Sequence, residues 1–145
     1  MALELINNGQ ENWLNVLNAD LTELGNRDSG TWMSTGLTAM NGYTLNKCNY
    51  FYGMIGGQKY LMINGNVSIS SGSIGGQTNR EVIQLPATIK GCGMKITGYA
   101  YVQNSDNGYR LRVDYSPSTN RVVFTNITGV NVTFTSIDFG LIMSE

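Results

Sequence analysis

From Trp32 to the end of the chain, apolar residues recur at every second position in short runs, each bounded by Gly, Asn, Ser or Asp clusters. Successive side chains of an extended strand point to opposite faces, so a period of two marks half-buried strands joined by tight turns. Tyr109, Leu111, Val113 and Tyr115 alternate with Arg110, Arg112 and Asp114, predicting one buried and one polar face. Leu61, Ile63, Val67 and Ile69 likewise share a face within 59–70, and a hairpin is expected to join 49–54 to that run through residues 55–58. Further strands are expected at 81–85, 94–103, 109–115, 121–127 and 131–143, with turns at 71–77, 104–108 and 116–120. Pro86 ends one of them because proline cannot donate to a ladder. Val132 and Phe134 are out of phase with Ile137, Phe139 and Leu141, which predicts a bulge near Ser136. Ile-Gly-Gly-Gln occurs at 55–58 and again at 74–77, and is read as two similar hairpin turns. About eight to ten short strands at this spacing specify a mainly β, antiparallel sandwich or barrel over residues 31–145.

Ahead of it, residues 11–24 have a different period. Leu14, Leu17, Leu21 and Leu24 fall three, four and three apart, the spacing of one helical stripe, and Gly25-Asn26 supplies a stop. A helix of that length is marginal alone in water, so the stripe packs either on its own domain or on the same helix of neighbouring subunits. Asn26-Arg27-Asp28-Ser29-Gly30 reads as a polar linker. Two modules are expected, residues 1–30 and 31–145.

Composition narrows the chemistry. With 9 Lys+Arg against 10 Asp+Glu there is no basic excess for a nucleic acid or an acidic membrane surface. The histidine count is zero, which removes His-dependent nucleophilic catalysis and His-ligated metal centres. No Asp-x-Asp cluster, CxxC pair or phosphate-cradling loop occurs, so neither metal nor cofactor is expected. Cys48 and Cys92 read as buried thiols, a disulfide being the lesser option. No secretory leader or membrane-spanning run is seen, and the chain is expected to be made in the cytoplasm as a soluble protein. Three Asn-x-Ser/Thr sequons, at Asn66, Asn126 and Asn131, need no explanation beyond a chain rich in those residues.

The order of features from Trp32 on carries a resemblance. Trp32 is followed by Asn41-Gly42-Tyr43 and by the paired aromatics Tyr50 and Tyr52. Then come Tyr60-Leu61-Met62-Ile63-Asn64-Gly65-Asn66-Val67, a Gly-rich turn, Ile83-Gln84-Leu85-Pro86-Ala87, and a late hairpin rich in Tyr and Arg. This resembles the C-terminal head module of tail-fibre and baseplate receptor-binding proteins of tailed bacteriophages. Residues 12–24 also look like a Trp-, Leu- and Asn-containing segment near the start of many prophage tail proteins. The resemblance implies a jelly-roll-like head and a homotrimer in which Leu14, Leu17, Leu21 and Leu24 line a three-helix bundle. It further implies a virion component at the tail tip or baseplate, attached to other phage proteins and binding bacterial cell-wall or capsular saccharide. The chain departs from longer fibre proteins in lacking a shaft or collagen-like repeat.

A saccharide site needs aromatic faces and a fan of amides, carboxylates and hydroxyls. The candidate residues are the loop and strand set Asp106, Asn107, Tyr109, Arg110, Arg112 and Asp114, and the aromatic set Trp32, Tyr50 and Tyr52, with Tyr43 beside them. Each has a plainer reading, a solvated hairpin for the first and core or interface packing for the second. A polysaccharide hydrolase would need two suitably placed carboxylates among Glu81, Asp106, Asp114 and Asp138, and nothing in the sequence pairs them for that work. The expected role is therefore adhesion without catalysis, the alternatives being a virion decoration or connector protein and, less favoured, the hydrolase.

Overall fold

The computed structural model describes residues 13–89, 98–103 and 110–144. The leucine stripe lies on α1 (Trp13–Arg27). This helix runs three residues past the expected end at 24. Gly25 and Asn26 weaken a helix by ~1 kcal/mol or less relative to alanine, which does not forbid another turn. The segment after the helix is not an open linker, because it is bonded to the β-module. Ser29 and Met54 exchange backbone hydrogen bonds (3.0 and 2.6 Å), and Gly57 N–H donates to the Arg27 carbonyl at 2.9 Å. Gly56 N–H donates to Asp28 Oδ1 at 2.6 Å. Gly53 makes this approach possible, since a Cβ there would lie 2.0 Å from the Ser29 carbonyl oxygen.

Nine strands come after it among the described residues: β1 (Trp32–Met33), β2 (Thr38–Ala39), β3 (Thr44–Ile55), β4 (Gln58–Ile74), β5 (Asn79–Gln84), β6 (Gly98–Gln103), β7 (Arg110–Ser116), β8 (Arg121–Thr125) and β9 (Val132–Ser144). All pair antiparallel, in the order β1-β3-β4-β9-β6-β7-β8-β5-β2. The array turns back on itself as a sandwich whose two inner faces share one core. Leu61, Ile63 and Val67 of β4 meet Val82 and Ile83 of β5, Leu111 and Val113 of β7, and Ile137 of β9 there. Phe124 and Phe139 touch edge to face at 5.4 Å although β8 and β9 are not ladder neighbours, so this contact crosses between the layers. The two-residue strands β1 and β2 stand at the edges, too short to template another chain.

The expected β3–β4 hairpin forms. Its turn is Gly56-Gly57 at φ +60° and +80°, the left-handed pair that a two-residue hairpin loop requires. The second Ile-Gly-Gly-Gln is not a hairpin turn. It carries the chain from β4, paired with β3 and β9, to β5, paired with β8 and β2, and so crosses between non-adjacent strands. Identical tetrapeptides have different partners because pairing is decided by burial far along the chain, not by the turn.

The phase change in β9 is present. Val132 and Phe134 are buried, and so are Ile137, Phe139, Leu141 and Met143, with the switch at 135–136. The extra residues sit in the partner strand, however. Ser68 pairs with Ser136 and Gly72 with Phe134, so three β4 residues face one of β9. A second bulge, unforeseen from the sequence, puts Lys47 (φ +51°) and Cys48 opposite Gly65. Cys48 is a buried free thiol, as expected, with Sγ 3.2 Å from the Asn66 carbonyl; Cys92 lies outside the described residues, as do the turn at 104–108 and the start of the 94–103 run. The Asn126 sequon is structural: its side chain is wholly buried and donates to the carbonyls of Ile74 (2.9 Å) and Val130 (2.8 Å).

Burial holds the Cys48 thiol above its usual 9.0. The unfolded chain therefore releases this proton first, and stability is expected to hold below about pH 9 and to fall as pH rises further. Denaturant melts of the wild type and Cys48→Ala across pH 7–10 check this, the variant losing the part of the decline due to the thiol.

Candidate functional site

The alternation read in β7 is observed. Leu111, Val113 and Tyr115 are buried, while Arg112 and Asp114 stand on the outer face at 44% and 21% side-chain exposure. Arg112 Nε donates to Asp114 Oδ2 at 2.8 Å, and Thr125 of the neighbouring β8 donates to the same oxygen at 3.1 Å. These groups line a groove of about 490 Å³ together with Asn79, Glu81 and Ser118. At its rim Arg121 binds Glu81 (2.5 Å) and Gln84 (2.9 Å). Such a groove offers guanidinium and amide donors beside carboxylate and hydroxyl acceptors, the mixture that hydroxyl-rich ligands need. Arg110 opens β7, with its Cα paired to Tyr101. Asp106, Asn107 and Tyr109 lie outside the described residues.

The aromatic set does not form one site. Trp32 is 52% exposed and its ring leans on Phe51 at 6.0 Å. Tyr50 belongs to the core at 4% exposure, its hydroxyl 3.5 Å from Met33 Sδ. Tyr52 is half-buried on the same side, with Lys59 Nζ 5.1 Å from its ring centre. Tyr50 is thus corrected from candidate ligand contact to core residue. The reason is periodicity: residues 50 and 52 share a strand face, and that face is the inner one. Trp32 on β1 is also five ladder steps from Arg112 on β7.

A third polar group is not signalled by the sequence. Asn66 Nδ2 donates to Asp138 Oδ1 (2.6 Å) and Ser136 Oγ (2.8 Å), and Asn46 Nδ2 donates to Asn66 Oδ1 (3.1 Å) and Ser68 Oγ (2.9 Å). It spans β3, β4 and β9, so residues up to 92 positions apart meet only through strand register. Asp138, one of the four acids a hydrolase could draw on, accepts from the Asn66 amide. Glu81 and Asp114 are each held by arginine.

On α1, Leu14, Leu21 and Leu24 are 53%, 56% and 44% exposed, and Leu17 is half-buried. Of the two expected packings, burial against the chain's own sandwich does not occur for three of the four leucines. Among the described residues there is no helix long and apolar enough to cross a membrane, and no cluster of three metal-ligating side chains.

Neither protein-family models nor curated protein sequences match the chain. Among solved structures, it is similar to the receptor-binding head domain of lactococcal phage bIL170, with a TM-score of 0.58 at 15% identity, over 79% of this chain and 96% of that one. It is also similar to the receptor-binding protein gp15 of Listeria phage PSA, with a TM-score of 0.50 at 17% identity, over 91% of this chain and 76% of that one. An antiparallel sandwich with this strand order, matched to nearly the full length of one such head, identifies the fold as that of phage receptor-binding head domains.

Proposed function

We propose that this protein is a phage receptor-binding protein that adheres, without catalysis, to saccharide on the host bacterial surface. It works as a homotrimer at the tail tip or baseplate, with residues 1–30 as bundle and attachment to other virion proteins and 31–145 as head. The observation that carries the reading is the fold shared with two phage receptor-binding proteins. The exposed leucines of α1 support a bundle, since three such stripes bury one another. The Arg112, Asp114 and Thr125 groove supports a hydroxyl-rich ligand. Single sites of this kind bind weakly, and several copies on one particle raise avidity by ~10²–10⁴ without new contacts. Arginine and amide partners already engage Glu81, Asp114 and Asp138, which favours adhesion over hydrolysis, because a glycosidase needs a pair of carboxyls directed at its substrate.

The test is binding of labelled protein to susceptible cells. Arg112→Ala with Asp114→Ala is expected to lower it at least tenfold while leaving folding intact, since both side chains face solvent. Unchanged binding removes this groove as the contact. Release of reducing ends from purified wall polysaccharide would instead favour the hydrolase.

A further inference from the structure

Outside that groove, one cavity sets a cationic side chain beside hydroxyls that make no hydrogen bond among the described residues, those of Ser71 and Ser73 being exposed. It measures about 350 Å³ and lies between the turn at Asn41, the bulge of β4 and the start of β5, lined by Asn41, Tyr43, Ser71, Ser73 and Arg80. We infer that this cavity binds one oxyanion carried on the receptor glycan, with Arg80 as its charge partner and the hydroxyls of Tyr43, Ser71 and Ser73 as donors.

Four observations converge on this. First, Arg80 pairs with the wholly buried Phe124 near the start of β5, ahead of the register shift between Glu81 and Ile83, and there it is exposed and lines the cavity. Second, its guanidinium has no carboxylate partner among the described residues. Its neighbour Glu81 is bound by Arg121, and no acid among them lines the cavity. Third, Tyr43 lines the cavity with its ring stacked on Phe134 at 6.3 Å, and its hydroxyl, which reaches solvent, has no hydrogen-bond partner among the described residues. Burial raises its phenol above the usual range, and the Arg80 charge lowers it part of the way back. Fourth, the bulge brings Ser71 to the cavity, and Ser73 follows just past it, paired with Thr133. A Cβ on Gly72 between them would meet Ile69 Cγ2 at 2.5 Å and Phe134 Cε2 at 2.7 Å, so only glycine lets the chain settle there. Asn41 meanwhile spends its amide on the Glu81 carbonyl (2.8 Å), which ties the turn to β5.

A site whose one charge among the described residues is positive, with hydroxyls beside it, favours an anion over a neutral group, and charge-assisted hydrogen bonds are about twice as strong as neutral ones. A second cavity of about 260 Å³ continues across Ser71 and Ser73 to Thr133 and Thr135, a hydroxyl-lined shelf suited to the attached sugar. The oxyanion is then either a sugar carboxylate or a phosphate linked to a sugar. The saccharide carrier rests on the proposed function, whereas the anion contact does not.

The experiment is an NMR titration of the full chain at low salt with D-glucuronate, α-D-glucose 1-phosphate and methyl α-D-glucopyranoside, reading the Arg80 Nε–H and Gly72 N–H resonances. One or both anionic sugars are expected to shift these resonances, the stronger identifying the carboxylate or phosphate source, while the neutral glucoside does not. Arg80→Gln is expected to weaken binding at least tenfold, with Arg80→Lys recovering part of it. Equal shifts with the neutral glucoside, no shift with either anion, or full binding by Arg80→Gln overturns the inference. The Arg112→Ala, Asp114→Ala variant is expected to keep the anion contact. Anion binding without cell binding by the wild type would count against the receptor reading alone.

Discussion

The chain carrying Leu17→Asp and Leu21→Asp is expected to run as a monomer where the wild type runs at the mass of three chains. In a three-helix bundle the two substitutions place six carboxylates along one seam, where each loses water and faces its own kind. Nothing in the head compensates, because Leu21 is 56% exposed within the single chain and its substitution costs the monomer little. Light scattering on a size-exclusion column, at micromolar and tenfold lower protein, reads the result. Retention of the native mass by the variant would mean that the stripe is not the subunit contact.

Gly65→Ala is expected to destabilise the head by about 3 kcal/mol, from backbone strain and overpacking together. Gly65 has φ +154°, and a Cβ there would lie 2.6 Å from both Cys48 Cα and Sγ. Those atoms belong to the β3 bulge, fixed by ladder pairs at Asn46 and Asn49 on either side, so the neighbour cannot step back without breaking register. Gly140 is the control. A Cβ there meets nothing within 4 Å, and alanine is expected to change stability by less than about 1 kcal/mol. Urea denaturation of both variants separates the cases. Equal midpoints would mean that β3 and β4 are not in this register.

How much of this is legible in sequence depends on the range of the interaction that decides it. The period of two in β7 and β9, the Gly56-Gly57 hairpin and the leucine stripe are local signals, and each is found at its expected place. The Lys47 bulge opposite Gly65, the polar cluster joining Asn46 to Asp138 and the crossover at Gly75-Gly76 depend on partners 17 to 92 residues away. No local pattern encodes those. The helix end departs from expectation because Gly25 is a weak stop, and the true end is where Ser29 is captured by Met54. Among the candidate residues, the outward placement of Arg112 and Asp114 follows from alternation alone, whereas the core position of Tyr50 is decided by which face of β3 turns inward. Arg80 precedes the strand expected at 81–85, and its place beside the β4 bulge follows from its pairing with Phe124, 44 residues on.

The measurement that most directly tests adhesion to saccharide is binding of labelled protein to susceptible cells after mild periodate oxidation, compared with cells treated by protease. Periodate is expected to abolish binding and protease to leave it intact. Binding that survives periodate but is lost to protease would place the receptor in a surface protein and contradict the account.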